Sequence, residues 1–392
     1  MSNFLDFYRK HGISPVSQDI GDIGLHFHRR IGLYRTLGIT PLLFKNRDVL
    51  EVAPGSGHNA IVTASFGARS YDLVEPNPVG FGEMISLFEK QKVNGSEIHF
   101  FNCRLEDFSE KRDYDIVLCE GLIPGLDNQD EFVLSLADKV RSGGVLVVTC
   151  ADVISLFFET LRRYLSRVLT SQAFSKEQAA CISALLPILA EVFRPHMGTL
   201  SGMSRSTEDW VYDTLLNPAA SSIAEKEFSI EKCLCLLNDR FWFYGSSPNF
   251  LSYMGWYKKI EREPRAYNKA VIKSFKEQQH NLLHYKEVGK SSLRINTRLA
   301  NLCMEFTENV DAINILAPGD FSPARIDEDI APVRELLSVV KDIQLLRSGA
   351  AISEFLNLFQ DCSIPSAEKI ATVNAFAEAF GRGQQYISMV KI

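Results

Sequence analysis

Between residues 48 and 150, short runs of apolar and β-branched residues alternate with stretches of helical period. The runs predict strands over 48–53 (DVLEVA), 70–74 (SYDLV), 97–101 (EIHFF), 114–119 (YDIVLC) and 144–150 (GVLVVTC). Helices are predicted between them, as at 79–92 (VGFGEMISLFEKQK) and 130–140. Apolar strands separated by helices imply a mostly parallel sheet covered on both faces. Ligands on such a sheet sit beyond the carboxyl ends of the strands, so the residues that follow each strand are the candidates for chemistry.

Beyond Cys150 the pattern changes. Residues 151–170 and 176–194 read as helix, with the apolar stretch 181–193 (CISALLPILAEVF) broken by Pro187, and a loop bearing glycine and serine follows at 196–206. Residues 240–245 (RFWFYG) read as an aromatic strand ahead of a turn at Ser246–Asn249. Helical period dominates 265–380, and 384–392 (QQYISMVKI, with Gln384 first) alternates like a strand. No internal repeat or low-complexity segment is visible.

Composition narrows the class. A chain of 392 residues that is 46% hydrophobic and 23% charged buries a sizeable core and has an ordinary soluble balance. Its net charge of −6, without a long basic run, argues against nucleic acid as a partner. The eight cysteines are scattered, with no CxxC pair, which reads as reduced, small apolar residues and no metal framework. The start, MSNFLDFYRKHG, is charged where a signal peptide is apolar, and no run of about 18 apolar residues occurs. The expectation is a cytoplasmic protein with no membrane partner; oligomeric state is left open.

The most informative stretch is DVLEVAPGSGHNA (48–60), in which Gly55, Gly57 and Ala60 fit the glycine fingerprint of a dinucleotide-binding turn. Glu75, about 20 residues past these glycines at the end of the second strand, is placed to accept the two hydroxyls of a ribose. Glu51 separates the possible ligands. A pyrophosphate over the turn would be repelled by an ionised Glu51 by roughly 1–4 kcal/mol, whereas a sulfonium and an ammonium would be attracted. The pair favours S-adenosyl-L-methionine over NAD.

With these residues in place, the stretch resembles the class I S-adenosylmethionine-dependent methyltransferases. VLEVAPGSG resembles their first motif, with Ala53 and Pro54 as departures. LVEPNP resembles their ribose-binding acidic motif, YDIVLCEGLIPGL their fourth strand and its loop, and VRSGGVLVVT their glycine turn into strand five. The resemblance covers about residues 30–150. It implies that Glu51, Gly55 and Gly57 cradle the methionine part of the cofactor, that Glu75 holds its ribose, and that Pro76 and Asn77 flank the adenine. In NCRLEDF no acid stands immediately after strand three, so the adenine contact falls to the backbone near Arg104 and Leu105. Glu120 falls where the family lines the methyl-transfer site. The histidine- and arginine-rich helix HFHRRIGLYRTLGI reads either as a solvated amphipathic helix or as a lid, with Tyr34 or Arg30 meeting the cofactor's carboxylate.

The family also implies a Rossmann-like, mostly parallel sheet whose last strand is reversed. The expected division is a helical arm at 1–47, a cofactor core at 48–150, a helical insertion at 151–237, strand six at 238–249, a helical region at 250–380 and a closing strand at 381–392. The two helical insertions are expected to form one cap over the carboxyl edge of the sheet. Methyl transfer to an oxygen or nitrogen acceptor commonly uses a base; Glu120, His28, His196 and Asp209 are the possible ones. His196, Trp210, Tyr244 and Tyr257 are the expected lining of an acceptor pocket suited to a small molecule or a carbohydrate. A non-catalytic S-adenosylmethionine-binding protein and an aminopropyl transferase on the same fold are the alternatives.

Overall fold

The apolar run after Arg47 forms β1 (Asp48–Val52), with all five residues buried. This computed structural model describes residues 3–14, 18–93, 97–110, 112–173, 182–200, 205–217, 223–251, 256–259, 263–313, 321–360 and 363–392. The other strands are β2 (Ser70–Val74), β3 (Glu97–Phe101), β4 (Tyr114–Cys119), β5 (Val140–Cys150), β6 (Phe241–Ser247) and β7 (Gln385–Lys391). They form one seven-stranded sheet in the order β3-β2-β1-β4-β5-β7-β6. Strands β1 to β5 pair in parallel, and β7 runs antiparallel to both β5 and β6. The reversed last strand is therefore present, and its Ile387, Ser388 and Met389 are wholly buried.

Registers level the strand ends. Val52 lies opposite both Val74 and Cys119, so the segments after β1, β2 and β4 emerge side by side. Chain order reverses at β1, making this edge the topological switch point where parallel sheets bind ligands. Helices α1 (Asn3–His11), α2 (Ile23–Thr36), α3 (Ala60–Ala64), α4 (Pro78–Gln91) and α5 (Gln129–Asp138) accompany it. Pairing of β5 starts at Val140, ahead of the expected 144. Arg141–Gly144 form an irregularity in the strand, with Gly143 at φ 74°, where the sequence pattern reads a turn.

The chain divides into two compact units. The sheet unit comprises Met1–Ala151, Phe228–Phe275 and Gln384–Ile392; the other comprises Asp152–Glu227 and Lys276–Gly383. The helix Pro264–Gln278 thus begins in the sheet unit, although its apolar period places it with the helical region. Asn268 gives the reason. Its side chain accepts from the Phe243 amide at 2.9 Å and donates to the Phe241 carbonyl at 2.9 Å, satisfying the free edge of β6 as another strand would.

The second unit is helical among its described residues. Its first long helix is α6 (Phe157–Ala173) and its second α7 (Ile182–Gly198). The latter continues through Pro187 and Pro195, which corrects the expected break. Burial of Leu185, Leu189, Val192 and Phe193 along one side outweighs the hydrogen bonds that the prolines remove. Phe157, Tyr164, Phe306, Phe355, Phe359 and Phe376 form a run of edge-on and tilted ring contacts. Within it the fully buried Arg162 donates to the carbonyls of Phe158, Phe376, Ala377 and Ala379. Cys103, Cys119, Cys150, Cys233, Cys235 and Cys303 are free thiols; Cys181 and Cys362 lie outside the described residues. No helix among those residues is long and apolar enough to cross a membrane.

Candidate functional site

At the end of β1 the chain turns through Ala53, Gly55 and Gly57, all in the left-handed region at φ 58°, 58° and 77°. Glycine tolerates this geometry; alanine adopts it at a cost of roughly 1–2 kcal/mol. A Cβ on Gly57 would lie 2.7 Å from Met84 Cγ, so this glycine also admits close packing against α4. From β2, the buried Glu75 carboxylate reaches back to this turn. One oxygen accepts from the Gly55 amide at 2.8 Å and the other from the Asn77 amide at 2.7 Å. Burial raises the Glu75 pKa, and these two amides oppose the rise. Asn102, after β3, donates to the Glu75 carbonyl at 2.8 Å.

Glu120 pairs with the Arg30 guanidinium, whose charge also reaches Glu51. Arg30 of α2 grips both oxygens of Glu120, at 2.8 and 2.7 Å, and donates to the Tyr34 hydroxyl at 2.8 Å. Glu51 is 3% exposed and accepts a short hydrogen bond from the Tyr71 hydroxyl. Burial, and then the negative charge of Glu120, push the Glu51 pKa up to about 7, against the pull of Tyr71 and Arg30. Tyr386 of β7 belongs to the same group, its pKa raised to about 12 by burial and then by Glu120. The edge therefore gathers three carboxyl groups (Glu51, Glu75, Glu120), of which Glu120 is paired with Arg30. A cation is attracted here, and a pyrophosphate would be repelled.

The N-terminal arm lies across this edge. Arg9 donates to the Pro76 carbonyl at 2.9 Å, and Asn77 donates to the Ile13 carbonyl at 3.0 Å. Ser14 meets Ser56 at 3.2 Å, and Ser56 donates to Glu83 at 2.6 Å. The Gln18 amide donates to His58 Nδ1 at 3.0 Å, and His26 Nε2 donates to the His58 carbonyl at 2.8 Å. The Phe4 ring packs where a Cβ on Gly125 would stand. Segments after β1, β2 and β4 are thus all touched from one side by residues 4–26.

Several expected roles change. Tyr34 is wholly buried, packs on Phe44 and Phe66, and shares its hydroxyl with Arg30 and Thr63. It is a core residue that aims Arg30, and it has no free face for a cofactor. His28 is exposed on α2 and takes no hydrogen bond among the described residues, so nothing orients it as a base. His196 lies in the interior of the helical unit. Arg162 donates to its Nδ1 at 3.2 Å and its Nε2 meets the Ile370 carbonyl at 3.1 Å. Burial and then Arg162 depress its pKa to about 3, which corrects the reading of His196 as a base or an acceptor ligand. Trp210 is 1% exposed against Phe193 in the same unit, a core position. Tyr244 and Tyr257, at 55% and 68% exposure, belong to the sheet unit; Tyr244 packs its ring on Gly38. Leu105 is buried, and the Arg104 carbonyl closes a 3-10 turn by accepting from the Asp107 amide at 3.1 Å. Glu120 stays at the site, with both of its oxygens held by the Arg30 guanidinium.

Sequence reasoning did not single out Tyr71, Ser56, His58 or Asn102. Tyr71 sits inside a strand that reads as uniform core, so only the parallel register against β1 reveals its bond to Glu51.

No family model matches the chain. It is similar to the ubiquinone biosynthesis O-methyltransferase of Rickettsia canadensis, with 24% identity over 104 residues that make up 26% of this chain and 42% of that protein. It is also similar to the tRNA U34 carboxymethyltransferase of Shewanella halifaxensis, with 28% identity over 110 residues, 28% of this chain and 32% of that protein. The chain spans between 34% and 51% of the length of the Rickettsia relatives it matches. Among solved structures, magnesium protoporphyrin IX methyltransferase from Synechocystis is 18% identical, with 38% of this chain and 68% of that one covered at a TM-score of 0.29.

Proposed function

We propose that this chain, whose sheet unit has the class I S-adenosylmethionine-dependent methyltransferase fold, is a methyltransferase acting from S-adenosyl-L-methionine on a small-molecule or carbohydrate acceptor. One observation carries the reading: Glu51, Glu75 and Glu120 converge with a left-handed glycine turn on the switch-point edge of the sheet. That edge suits a ligand bearing ribose hydroxyls and positive charge.

In this reading the Glu75 oxygens, each with a lone pair left after the Gly55 and Asn77 amides, accept the ribose hydroxyls. The backbone at Gly55 and Gly57 approaches the methionine part, with Glu51 and Glu120 as acceptors for its ammonium. Pro76 and Asn77 flank the adenine and the Arg104–Leu105 backbone meets its edge. When bound, the cofactor supplies an electrophilic methyl group to an acceptor held in line. The protein's own contribution is position and exclusion of water, which the arm over the edge supports.

Calorimetry with S-adenosylmethionine, its demethylated product and NAD tests the cofactor. Glu75→Ala, in a folded variant, should lose on the order of 2–4 kcal/mol of S-adenosylmethionine affinity; unchanged affinity defeats the assignment. The acceptor is sought by cofactor consumption over sugars, phenols and amines. A tRNA arm is included because one relative's name concerns tRNA.

A further inference from the structure

Helix α6 carries a second polar corner that the cofactor edge does not explain. Arg163 is 7% exposed. Its Nε donates to the Thr214 carbonyl at 2.8 Å, while its Nη1, wholly buried, has no hydrogen-bond partner. One turn earlier on α6, the partly buried Glu159 accepts no hydrogen bond among the described residues. Residues spaced i and i+4 on a helix commonly pair; these two do not pair with each other. Thr214 belongs to the π-helical turn Val211–Leu216, a distortion that recurs at functional sites. The same turn supplies Asp213, which pairs with Arg205 at 2.9 Å. Burial raises the Glu159 pKa despite the nearby Arg163, Arg162 and Arg205, with Asp213 reinforcing the rise.

A buried guanidinium N–H without an acceptor leaves a desolvated group unsatisfied, and the partly buried Glu159 one turn away offers carboxylate oxygens that no described donor takes. A free inorganic anion would complete Arg163 but meet Glu159 and Asp213. A simple cation would complete Glu159 but meet Arg163 and Arg205. A vicinal diol is neutral and presents an acceptor and a donor on adjacent oxygens. We propose that this corner of the helical unit binds a neutral sugar or polyol, whose neighbouring hydroxyls bridge the Arg163 guanidinium and the Glu159 carboxylate. The site lies within one unit and does not depend on the identity of the cofactor.

Thermal unfolding of the full chain tests this with methyl glucoside, methyl mannoside, methyl rhamnoside and myo-inositol, against inorganic phosphate and serine as charged and zwitterionic controls. At about 10 mM, below the concentrations at which sugars act as general stabilisers, at least one polyol should raise the melting temperature by roughly 2–4 °C. The increment should vanish in Glu159→Ala and in Arg163→Met. Each variant's own melting curve without additive controls for folding; if Arg163→Met does not fold, Glu159→Ala decides alone. No shift with any polyol, an equal shift with phosphate or serine, or a shift retained in the folded variants would overturn the proposal.

Discussion

Glu51 shows how one side chain can link stability to function. Its pKa stands at about 7, above the ordinary 4.5, because burial and the neighbouring Glu120 disfavour its charge. A carboxyl whose folded pKa is raised contributes nothing unfavourable below pH 4.5, where both states are protonated. As pH rises from 4.5 to 7 the unfolded chain ionises first, and stability falls across that window. Glu51→Gln should therefore stabilise the fold by on the order of 2–3 kcal/mol at pH 8 and by well under half as much at pH 5. Denaturant titrations at the two pH values check it, and equal gains at both would refute the cause. If Glu51 meets the cofactor's ammonium, the same variant should bind S-adenosylmethionine more weakly while being more stable.

At the scale of elements, hydrogen bonds among the described residues join the arm to the carboxyl edge of the sheet. They run from Arg9, Ile13, Ser14, Gln18 and His26 to Pro76, Asn77, Ser56 and His58. None of these is part of the sheet's hydrogen-bonded ladder. Removing residues 1–18 should leave the circular dichroism of the sheet unit intact and weaken S-adenosylmethionine binding by about tenfold, or 1.4 kcal/mol. Unchanged affinity would make the arm a bystander. Residues after 18 are a different matter, since Tyr34, Leu37 and Ile39 join the buried cluster around β1 and Ser388 of β7 donates to the Leu37 carbonyl at 2.6 Å. Truncation through 39 should unfold the sheet unit, so helices α1 and α2 play different parts.

For the molecule as a whole, the two units are interleaved in sequence yet each is compact. Ala151 and Phe228 are joined by an antiparallel bridge, the Ala151 amide donating to the Phe228 carbonyl at 3.0 Å. The chain therefore leaves the sheet unit after Ala151 and re-enters it beside that point. Replacing 152–227 by a short turn, and 276–383 by a flexible linker, should yield a folded sheet unit that binds S-adenosylmethionine within about tenfold of the full chain. An insoluble product, or one without cofactor affinity, would show that the sheet cannot stand alone.

The sequence by itself determined the strands: β1, β2 and β4 are buried and read as largely apolar runs, while the less buried β3 shows through its β-branched and aromatic residues. It marked Ser70–Val74, Glu97–Phe101 and Tyr114–Cys119 at the residues where they occur. It marked the turn after β1 and the acid after β2 as well, since left-handed backbone and a carboxylate at a strand end are local features. The closing strand was legible through its alternation together with the family's reversed strand. Partnerships across the chain were decided only by tertiary structure. Period alone made His196 and Trp210 as suited to a pocket as to a core, and packing in the helical unit buried both. Nothing local tells that Arg30 grips Glu120, 90 residues away, or that Asn268 closes the edge of β6. Helical period records which side of a helix is apolar but not which surface receives it, so the helix Pro264–Gln278 could join the sheet unit although its pattern matches the helices after it.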